Sequence, residues 1–181
     1  MNVIPGGLAG LLVIEPKVFK DDRGFFFEPY NHKRYQSAGI EPEFVQDNHS
    51  QSTQGVLRGL HFQTSPGQAK LLRCTRGRIW DVAVDIRPQS PTFGKWWSVE
   101  LDAERHRQLF IPVGFAHGFC VLSDVAEVLY KCSSVYDPVT ESGIAWNDPE
   151  IDVRWPLSNP IISQRDTTNQ SFAQYRAKLG A

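Results

Sequence analysis

The feature that most constrains the fold is a series of short β-type segments that recur along the whole chain. Each segment is rich in Val, Ile, Phe, Trp or Tyr, and clusters of Gly, Pro, Asn and Asp separate one from the next. This pattern is typical of an all-β sandwich or barrel. The clearest segment is 80–86, where Trp, Val, Val and Ile alternate with Asp, Ala and Asp. Such alternation gives a strand one apolar face and one more polar face.

Ten segments are predicted as strands, enough to make two packed sheets. They are residues 11–15, 25–28, 44–48, 57–63, 70–75, 80–86, 97–101, 108–111, 114–122 and 127–134. Helices are minor in this prediction. One is expected over residues 31–38, ending before Gly39, and another over residues 170–179, ending before Gly180.

Size and charge favour one domain that binds a small molecule. The chain has 181 residues, 41% of them hydrophobic, and no repeat, low-complexity tract or linker interrupts it. We therefore expect a single domain over residues 1–181. The formal net charge is −1, so the chain offers no broad electrostatic attraction to nucleic acid or to an anionic membrane.

One further feature predicts a cytoplasmic location. The apolar stretch 8–14 has no basic leader and is too short to span a bilayer, so neither a signal peptide nor a transmembrane helix is expected. The three cysteines, Cys74, Cys120 and Cys132, form no CxxC pair and lie among apolar neighbours. That setting is typical of buried, reduced thiols with a structural role.

Four polar residues interrupt strand faces that are otherwise apolar. Strict alternation places His61, Lys70, His117 and Tyr130 in phase with apolar side chains on four different strands. Taken one at a time, they also have structural interpretations, such as a hydrogen-bonded core histidine or a tyrosine plug. Buried lysines, however, are rare unless paired or functional. If these faces line the inside of a barrel, the four side chains meet in one cavity.

This set of side chains is suited to proton transfer at carbon. A neutral imidazole can remove a hydrogen next to a ketone when a cation or donor stabilises the enolate oxygen. Inversion then needs an acid on the opposite side of the cavity, and a tyrosine hydroxyl can serve. Lys70 or His117 would support the oxygen, and a carboxylate on the far ring nitrogen would fix the tautomer of the base.

The sequence has no motif that predicts a metal site or a nucleotide-cofactor site. A metal-binding β-barrel would have two or three histidines and a carboxylate at close spacing, whereas His49, His61, His106 and His117 are scattered. Glycine-rich phosphate loops of the GxGxxG or GxxxxGKS type are absent from the sequence. We therefore expect no metal and no organic cofactor.

Seven motifs, in order along the chain, resemble those of the dTDP-4-dehydrorhamnose 3,5-epimerases. They are EPKVFKDDRGFFFE (15–28), FVQDNHS (44–50), VLRGLHFQ (56–63), KLLRCTRGRIWDVAVDIR (70–87), SPTFGKW (90–96), IPVGFAHGF (111–119) and LYKCSSVYDP (129–138). The resemblance extends from about residue 4 to the region of Asp166. It implies a cupin-type double-stranded β-helix (jelly roll), a homodimer and no cofactor. The implied reaction inverts carbons 3 and 5 of dTDP-4-dehydro-6-deoxy-D-glucose, on the pathway to dTDP-L-rhamnose.

The resemblance also assigns roles to individual residues. His61 resembles the family's base, Tyr130 its acid, Asp166 the carboxylate paired with the base, and Lys70 the residue close to the keto oxygen. Three arginines resemble ligands of the diphosphate, and seven residues resemble other nucleotide-sugar contacts, among which Tyr136 would stack on thymine. These residues are Arg23, Arg58 and Arg165, followed by Glu28, Gln46, Asp47, Asn48, His117, Tyr136 and Glu141.

Two departures from a simple pattern accompany this assignment. Regular alternation points Arg58 and His61 to opposite faces, so a strand that brings both to one substrate must be irregular near Gly59. The tail sequence QRD has Arg165 where the family pattern has lysine.

Three alternatives remain open on the sequence. The motifs do not separate a double epimerase from a single-centre epimerase or a keto-isomerase acting on a related dTDP-sugar. A protein of another class, a β-barrel that only binds a nucleotide-sugar, would have the same apolar pattern. A metal-dependent cupin is the third.

Overall fold

Two antiparallel sheets face each other in the computed structural model, which describes residues 1–180. Within these residues there are thirteen strands and two α-helices. The strands are β1 (Asn2–Pro5), β2 (Leu12–Glu15), β3 (Phe19–Asp21), β4 (Gly24–Phe26), β5 (Gln46–Thr53), β6 (Leu57–Gln63), β7 (Lys70–Arg76), β8 (Arg78–Asp85), β9 (Trp96–Asp102), β10 (Gln108–Ile111), β11 (Phe115–Val121), β12 (Val125–Cys132) and β13 (Glu141–Gly143). The helices are α1 (His32–Gln36) and α2 (Phe172–Lys178).

The order of the strands shows a jelly roll. One sheet has six strands in the order β1-β2-β10-β7-β12-β5, and the other has five in the order β13-β6-β11-β8-β9. Strands β3 and β4 form a separate hairpin. Strands that are distant in the chain are neighbours in each sheet, as expected when a chain winds back and forth between two layers. The predicted all-β, cupin-like jelly roll is confirmed.

The main core lies between the two sheets. Leu72 and Leu109 enter it from the six-stranded sheet, and Ala83 and Phe119 enter it from the five-stranded sheet. All four are at most 5% exposed. Their burial follows from the alternation of each strand, because every second side chain points between the layers.

Strand β8 is buried on both faces, which differs from the sequence prediction. Its apolar side chains Val82 and Val84 face outward and are covered by the C-terminal segment, including Phe172 of α2. The face predicted to be more polar points into the barrel, and Asp81 and Asp85 are both 0% exposed. Alternation alone does not reveal the covering segment, so it gave no reason to expect two buried carboxylates here.

Most elements lie where they were predicted, with shifted ends. Strands β6 and β10 have the predicted bounds, whereas β5 runs further, to Thr53. The sequence prediction missed β1, β3 and β13, which have three or four residues each and no apolar alternation long enough to detect. Both helices are shorter than predicted, and Gly39 and Gly180 follow them with φ of 88° and 74°.

The outer face of the six-stranded sheet carries a smaller cluster beneath α1. Tyr35 is 1% exposed and packs with Leu71 and Phe110, while its hydroxyl donates to the carbonyl of Pro29 at 2.7 Å. None of the helices in residues 1–180 has the length and apolar character needed to cross a membrane.

Candidate active site

A cavity of about 680 Å³ opens between the two sheets. This volume is within the range of small-molecule sites, about 300–1,000 Å³. His61 and His117 line it from β6 and β11 of the five-stranded sheet, and Lys70 and Tyr130 line it from β7 and β12 of the six-stranded sheet. The four polar side chains predicted to share one cavity are therefore together, on two facing walls. The other lining residues include Gln46, Asn48, Ser50, Arg58, Phe119, Tyr136, Glu141, Ile161, Ser163, Arg165 and Asp166.

An irregularity in β6 brings Arg58 and His61 to the same cavity. On β11, His117 pairs with His61 and Phe119 pairs with Arg58, so the single residue between them on β11 lies opposite two residues of β6, Gly59 and Leu60. This is the register shift of a β-bulge. Gly59 lies inside the shift with φ of 131°, and a Cβ there would come within 2.5 Å of the Cα of Gly118. The irregularity expected near Gly59 is thus present, and glycine is required for it.

His61 is held by Asp166. The distance between His61 Nε2 and Asp166 Oδ1 is 2.5 Å, and the exposed fractions of the two side chains are 28% and 2%. Burial opposes ionisation of Asp166, but hydrogen bonds from His61, Ser163 and the Gly59 N–H together lower its pKa. An ionised carboxylate only accepts hydrogen bonds, so the proton lies on Nε2 and the lone pair of Nδ1 is free to accept another.

The cation on the facing wall is Lys70. The residue is 8% exposed, and among residues 1–180 no carboxylate oxygen lies within 4.0 Å of its Nζ. Burial lowers the pKa of this ammonium, while negative charge on Cys132, Glu141 and Asp81 would raise it. A lysine in this position presents its N–H donors to whatever fills the cavity.

Tyr130 completes the facing wall. Its side chain packs against the core cluster and lines the cavity. Burial raises the pKa of its phenol above the ordinary value of 10.0. The hydroxyl is therefore protonated at neutral pH, as a proton donor must be.

Charged and aromatic side chains surround the mouth of the cavity. Arg58 donates from Nε to Ser52 Oγ at 3.0 Å and from Nη2 to the carbonyl of Gln51 at 3.2 Å. Arg165 Nη2 pairs with Glu141 Oε1 at 2.7 Å. Both guanidinium groups line the cavity, where they provide donors suited to phosphate oxygens.

A short hydrogen-bonded chain links the mouth to the six-stranded sheet. The N–H of Tyr136 donates to Gln46 Oε1 at 2.8 Å, and Gln46 Nε2 donates to Asn48 Oδ1 at 3.1 Å. Tyr136 is 50% exposed and lines the cavity, so part of its side chain is accessible at the mouth. An exposed ring at the rim of a cavity is a suitable surface for stacking a base.

Three predicted site residues do not reach this cavity within the chain. Arg23 belongs to the β3–β4 hairpin and pairs with Asp21. Glu28 pairs with Arg34 of α1. The side chain of Asp47 points to the outer face of β5, because its neighbours Gln46 and Asn48 point inward, and it pairs with Lys131.

The structure adds polar residues that the sequence analysis did not assign to the site. Asp81 contacts His117 inside the barrel, at 3.0 Å and 2.9 Å from Nε2 to its two oxygens. Ser50 lines the cavity and its buried hydroxyl has no partner among residues 1–180. The alternation Gln46, Asn48, Ser50 would have revealed the serine if β5 had been predicted at its full length. Within the same residues, no group of three or more His, Cys, Asp or Glu side chains has a metal-binding arrangement.

The fold is a jelly roll whose cavity has an imidazole bonded to a carboxylate on one wall. The other wall carries a phenol and an ammonium group. Together these features define a cupin-fold isomerase of the proton-transfer type. Comparisons with known proteins identify the family. The family model described as dTDP-4-dehydrorhamnose 3,5-epimerase matches residues 6–174. This chain belongs to that family.

Individual relatives agree with the family match. The dTDP-4-dehydrorhamnose 3,5-epimerase of Shigella flexneri is 56% identical over 174 residues, covering 95% of this chain and 96% of the relative. The crystal structure of the dTDP-6-deoxy-D-glucose-3,5-epimerase of Legionella pneumophila Philadelphia 1, in complex with dTDP-4-keto-L-rhamnose, superposes with a TM-score of 0.94 at 46% identity. The superposition covers 98% of this chain and 96% of the Legionella chain. A dTDP-4-dehydrorhamnose 3-epimerase of Streptomyces niveus is 40% identical, over 97% of this chain and 86% of the relative.

Proposed function

We propose that this protein inverts carbons 3 and 5 of dTDP-4-dehydro-6-deoxy-D-glucose and so makes dTDP-4-dehydro-L-rhamnose for dTDP-L-rhamnose synthesis. The observation that carries the proposal is the opposition of two side chains across one cavity. His61, bonded to Asp166, lies on the five-stranded sheet, and Tyr130 lies on the six-stranded sheet. Inversion at a carbon requires a base and an acid on opposite sides of it, and this arrangement supplies both.

Proton removal begins at His61. Nδ1 accepts the hydrogen from a carbon next to the ketone, and the electron pair of the broken C–H bond moves to the keto oxygen to give an enolate. The imidazole becomes an imidazolium, which the ionised Asp166 stabilises at 2.5 Å from Nε2. The negative charge of the carboxylate thus favours the transfer that creates a positive ring.

Lys70 stabilises the enolate oxygen. Its ammonium has no carboxylate of the chain within 4.0 Å among residues 1–180, so its N–H groups are free for the substrate. A positive donor in a site that excludes water stabilises developing negative charge more than the same donor in solution would.

Tyr130 then donates its hydroxyl proton to the opposite face of the carbon. The enolate electron pair forms the new C–H bond and the ketone is restored. One inversion leaves His61 protonated and Tyr130 deprotonated, so a proton must pass from the imidazolium through solvent to the phenolate before the next inversion. Neither step changes the oxidation state of the sugar.

The nucleotide part of the substrate would occupy the mouth of the cavity. Arg58 and Arg165 would bind the diphosphate, and the ring of Tyr136 would stack on thymine. Gln46, Asn48, His117 and Glu141 would contact the remainder of the nucleotide-sugar. Support comes from the placement of all these side chains on one cavity surface.

We further propose a homodimer in which each chain completes the site of the other. The β3–β4 hairpin carries Arg23, whose side chain is 90% exposed, together with Phe19, Phe25 and Phe26, which are 54%, 59% and 71% exposed. Adjacent exposed aromatic residues mark a surface that is covered by another molecule. If Arg23 is a diphosphate ligand, as its motif suggests, it must reach the cavity of a second copy, and Glu28 follows on the same segment.

The protein is also proposed to function in the cytoplasm as one epimerase domain over residues 1–181, of which Ala181 lies outside the described residues. Cys74, Cys120 and Cys132 are buried free thiols. Cysteines that remain unpaired suit a reducing compartment.

The direct test is turnover in heavy water. With dTDP-4-dehydro-6-deoxy-D-glucose as substrate, deuterium should enter at both carbon 3 and carbon 5, and a coupled rhamnose-forming reductase should consume NADPH. His61→Ala should lower kcat by at least about 100-fold, because it removes the base, while dTDP binding should be retained. Absence of exchange at both carbons, or full turnover by His61→Ala, would refute the proposal.

A single-centre epimerase is the second candidate, because the relative from Streptomyces niveus is a 3-epimerase at 40% identity. The same experiment separates the two activities. Deuterium at carbon 3 alone, with none at carbon 5, would assign the chain to the single-centre reaction.

A further inference from the structure

A small side pocket adjoins the main cavity and touches both residues that exchange protons with the sugar in the proposed mechanism. The side pocket is a space of about 90 Å³ whose lining includes Gln63 and Gln68. His61, Lys70 and Tyr130 line this space as well as the main cavity. A sugar in the main cavity lies between the base and the acid. The side pocket is therefore a second space in contact with both.

The lining of the side pocket is polar. Of its ten residues, only Phe62 has no polar side-chain atom. The ring of Phe62 packs on the other side of β6 against Tyr175, with 5.2 Å between the ring centroids. A volume of about 90 Å³ has room for about three waters, each of which takes about 30 Å³ in the liquid. A space that is both polar and large enough is one that water occupies.

Gln63 contributes an unpaired donor to this lining. It follows His61 by two residues on β6, so the two side chains share a face and their Cα atoms are about 7 Å apart. Gln68 Nε2 donates to the carbonyl of Ser134 and to Gln63 Oε1, both at 2.9 Å. These bonds fix the direction of the Gln63 amide, because its oxygen must face Gln68.

The nitrogen of the same amide is left without a bond. Gln63 is 8% exposed, and its Nε2 is buried with no partner among residues 1–180. A buried N–H is costly unless water or a ligand accepts from it. The amide is therefore suited to hold a water in the side pocket.

A second pair of amides lies beside Tyr130. Asn48 is the pairing partner of Tyr130 on β5, and Gln46 Nε2 donates to Asn48 Oδ1 at 3.1 Å. Both amides line the side pocket. A buried water needs two to four polar partners. Waters in the side pocket have such partners next to the base and next to the acid.

The proposed reaction creates a need for this water. One inversion leaves an added proton on His61 Nδ1 and a negative charge on the Tyr130 oxygen, and the second carbon cannot be inverted until both groups are reset. The reset requires the imidazolium to give its proton to a water. Each water in a chain then passes one proton to the next, and the phenolate accepts the last. No bond of the sugar is broken or formed in this transfer.

We propose that the side pocket holds a chain of waters that returns the proton from His61 to Tyr130 between the two inversions, and that Gln63 is a positioning residue for this chain. The inference rests on the proposed function, because a reaction that uses one base and one acid twice on the same sugar needs a reset while the sugar is bound. The second inversion therefore depends on the side pocket, whereas the first does not.

Gln63→Leu is the first variant to test. Leucine is of similar size but has no group that binds water, so the chain should be interrupted. With enzyme in excess over dTDP-4-dehydro-6-deoxy-D-glucose, His61 and Tyr130 begin in the correct protonation states. We expect the first inversion within about twofold of the wild-type rate and the second slowed by at least about tenfold, as for loss of a proton-transfer group. Singly inverted sugar should accumulate, measured by a rapid borohydride quench and NMR of the reduced sugars.

Two further variants separate hydration from packing. Gln63→Asn keeps an amide and leaves more room for water, so it should restore the second inversion. Gln170→Leu is the matched control. Gln170 Oε1 is likewise buried and unpaired among residues 1–180, its Nε2 donates to Ser142 Oγ at 2.9 Å, and the residue lines neither space. This change should leave the ratio of the two rates at the wild-type value.

Three results would overturn the inference. The first is a Gln63→Leu variant in which singly inverted sugar does not accumulate. The second is equal accumulation in Gln170→Leu. The third is a Gln63→Asn variant whose second inversion is as slow as that of Gln63→Leu, because the amide would then have no special role.

Gln68→Leu decides the question if Gln63→Leu does not fold. Gln68 is only partly buried and precedes β7, but it lines the same side pocket and orients the Gln63 amide. A second inversion slowed relative to the first would support the inference, and an unchanged ratio of the two rates would overturn it. Failure of the proposed function has a different signature, since the wild-type protein would then form no doubly inverted sugar.

Discussion

His61 and Tyr130 differ in what the surrounding chain does to them, and this difference sets their roles. The Nε2–H of His61 donates to the carboxylate of Asp166, which leaves the lone pair of Nδ1 as the acceptor. Tyr130 is partly buried and packs against apolar side chains, which favours the neutral phenol. His61 can therefore accept a proton at Nδ1 and Tyr130 carries one that it can donate, as the proposed mechanism requires.

Tyr130→Phe should separate exchange from inversion. His61 would still remove the hydrogen, and in heavy water it would return deuterium to the same face of the carbon. We expect deuterium in recovered substrate of unchanged configuration, with inverted product reduced by at least about 100-fold. Product configuration by NMR and deuterium content by mass spectrometry make the comparison. Exchange that falls as far as inversion would instead give Tyr130 a part in proton removal.

The sequence revealed the centre of the site better than its rim. Shared phase on four strands was enough to place His61, Lys70, His117 and Tyr130 in one cavity, because burial of alternate residues is a local property of a strand. Asp81 was missed because its strand is covered on both faces, and covering depends on a distant segment. Asp166 and Arg165 lie outside any strand, so their positions followed only from family resemblance.

At the scale of elements, the bulge in β6 lets one strand supply both Arg58, the proposed diphosphate ligand, and His61, the proposed base. Without it, Arg58 and His61 would point to opposite sides of the five-stranded sheet. Gly59 permits the bulge, and Gly118 of the neighbouring strand permits the close approach of the two backbones. Strict alternation therefore gives the wrong orientation for Arg58 relative to His61, because it does not allow for a bulge at Gly59.

Gly59→Ala should damage both stability and catalysis. The new Cβ would meet Gly118 Cα at 2.5 Å, and the φ of 131° is strained for alanine. We expect a loss of on the order of 1–3 kcal/mol in the free energy of unfolding, measured by urea denaturation, and a lower kcat in the folded fraction. Gly55→Ala is the control, because its φ is 80° but no atom lies within 4 Å of the added Cβ. Equal losses of activity in the two variants would contradict a special role for the bulge.

At the scale of the whole molecule, the proposed dimer can be tested by mixing two inactive variants. Arg23→Ala and His61→Ala should each be impaired as homodimers. In a mixed dimer, the chain with His61 intact would receive Arg23 from its partner, so one complete site would form. We expect mixing after mild dissociation to restore activity, up to about half the wild-type value per mixed dimer, measured with the coupled NADPH assay.

Two results would contradict this arrangement. No recovery on mixing, with dimers confirmed by native mass spectrometry, would mean that Arg23 serves its own chain or no site at all. A monomeric wild-type protein with full activity would remove the need for a partner altogether.

The position of Asp166 has a consequence for the order in which the molecule is completed. Asp166 lies beyond β13, on a segment held beside β6 by the hydrogen bond from Leu57 N–H to the carbonyl of Ile161 at 2.9 Å. During synthesis on the ribosome, every strand emerges before this carboxylate does. A nascent or proteolytically shortened chain that ended at residue 160 would have every strand of the barrel, but it would lack the carboxylate that holds His61 and the part of the cavity wall that residues 161–166 form. We expect such a chain to be inactive toward the ketosugar.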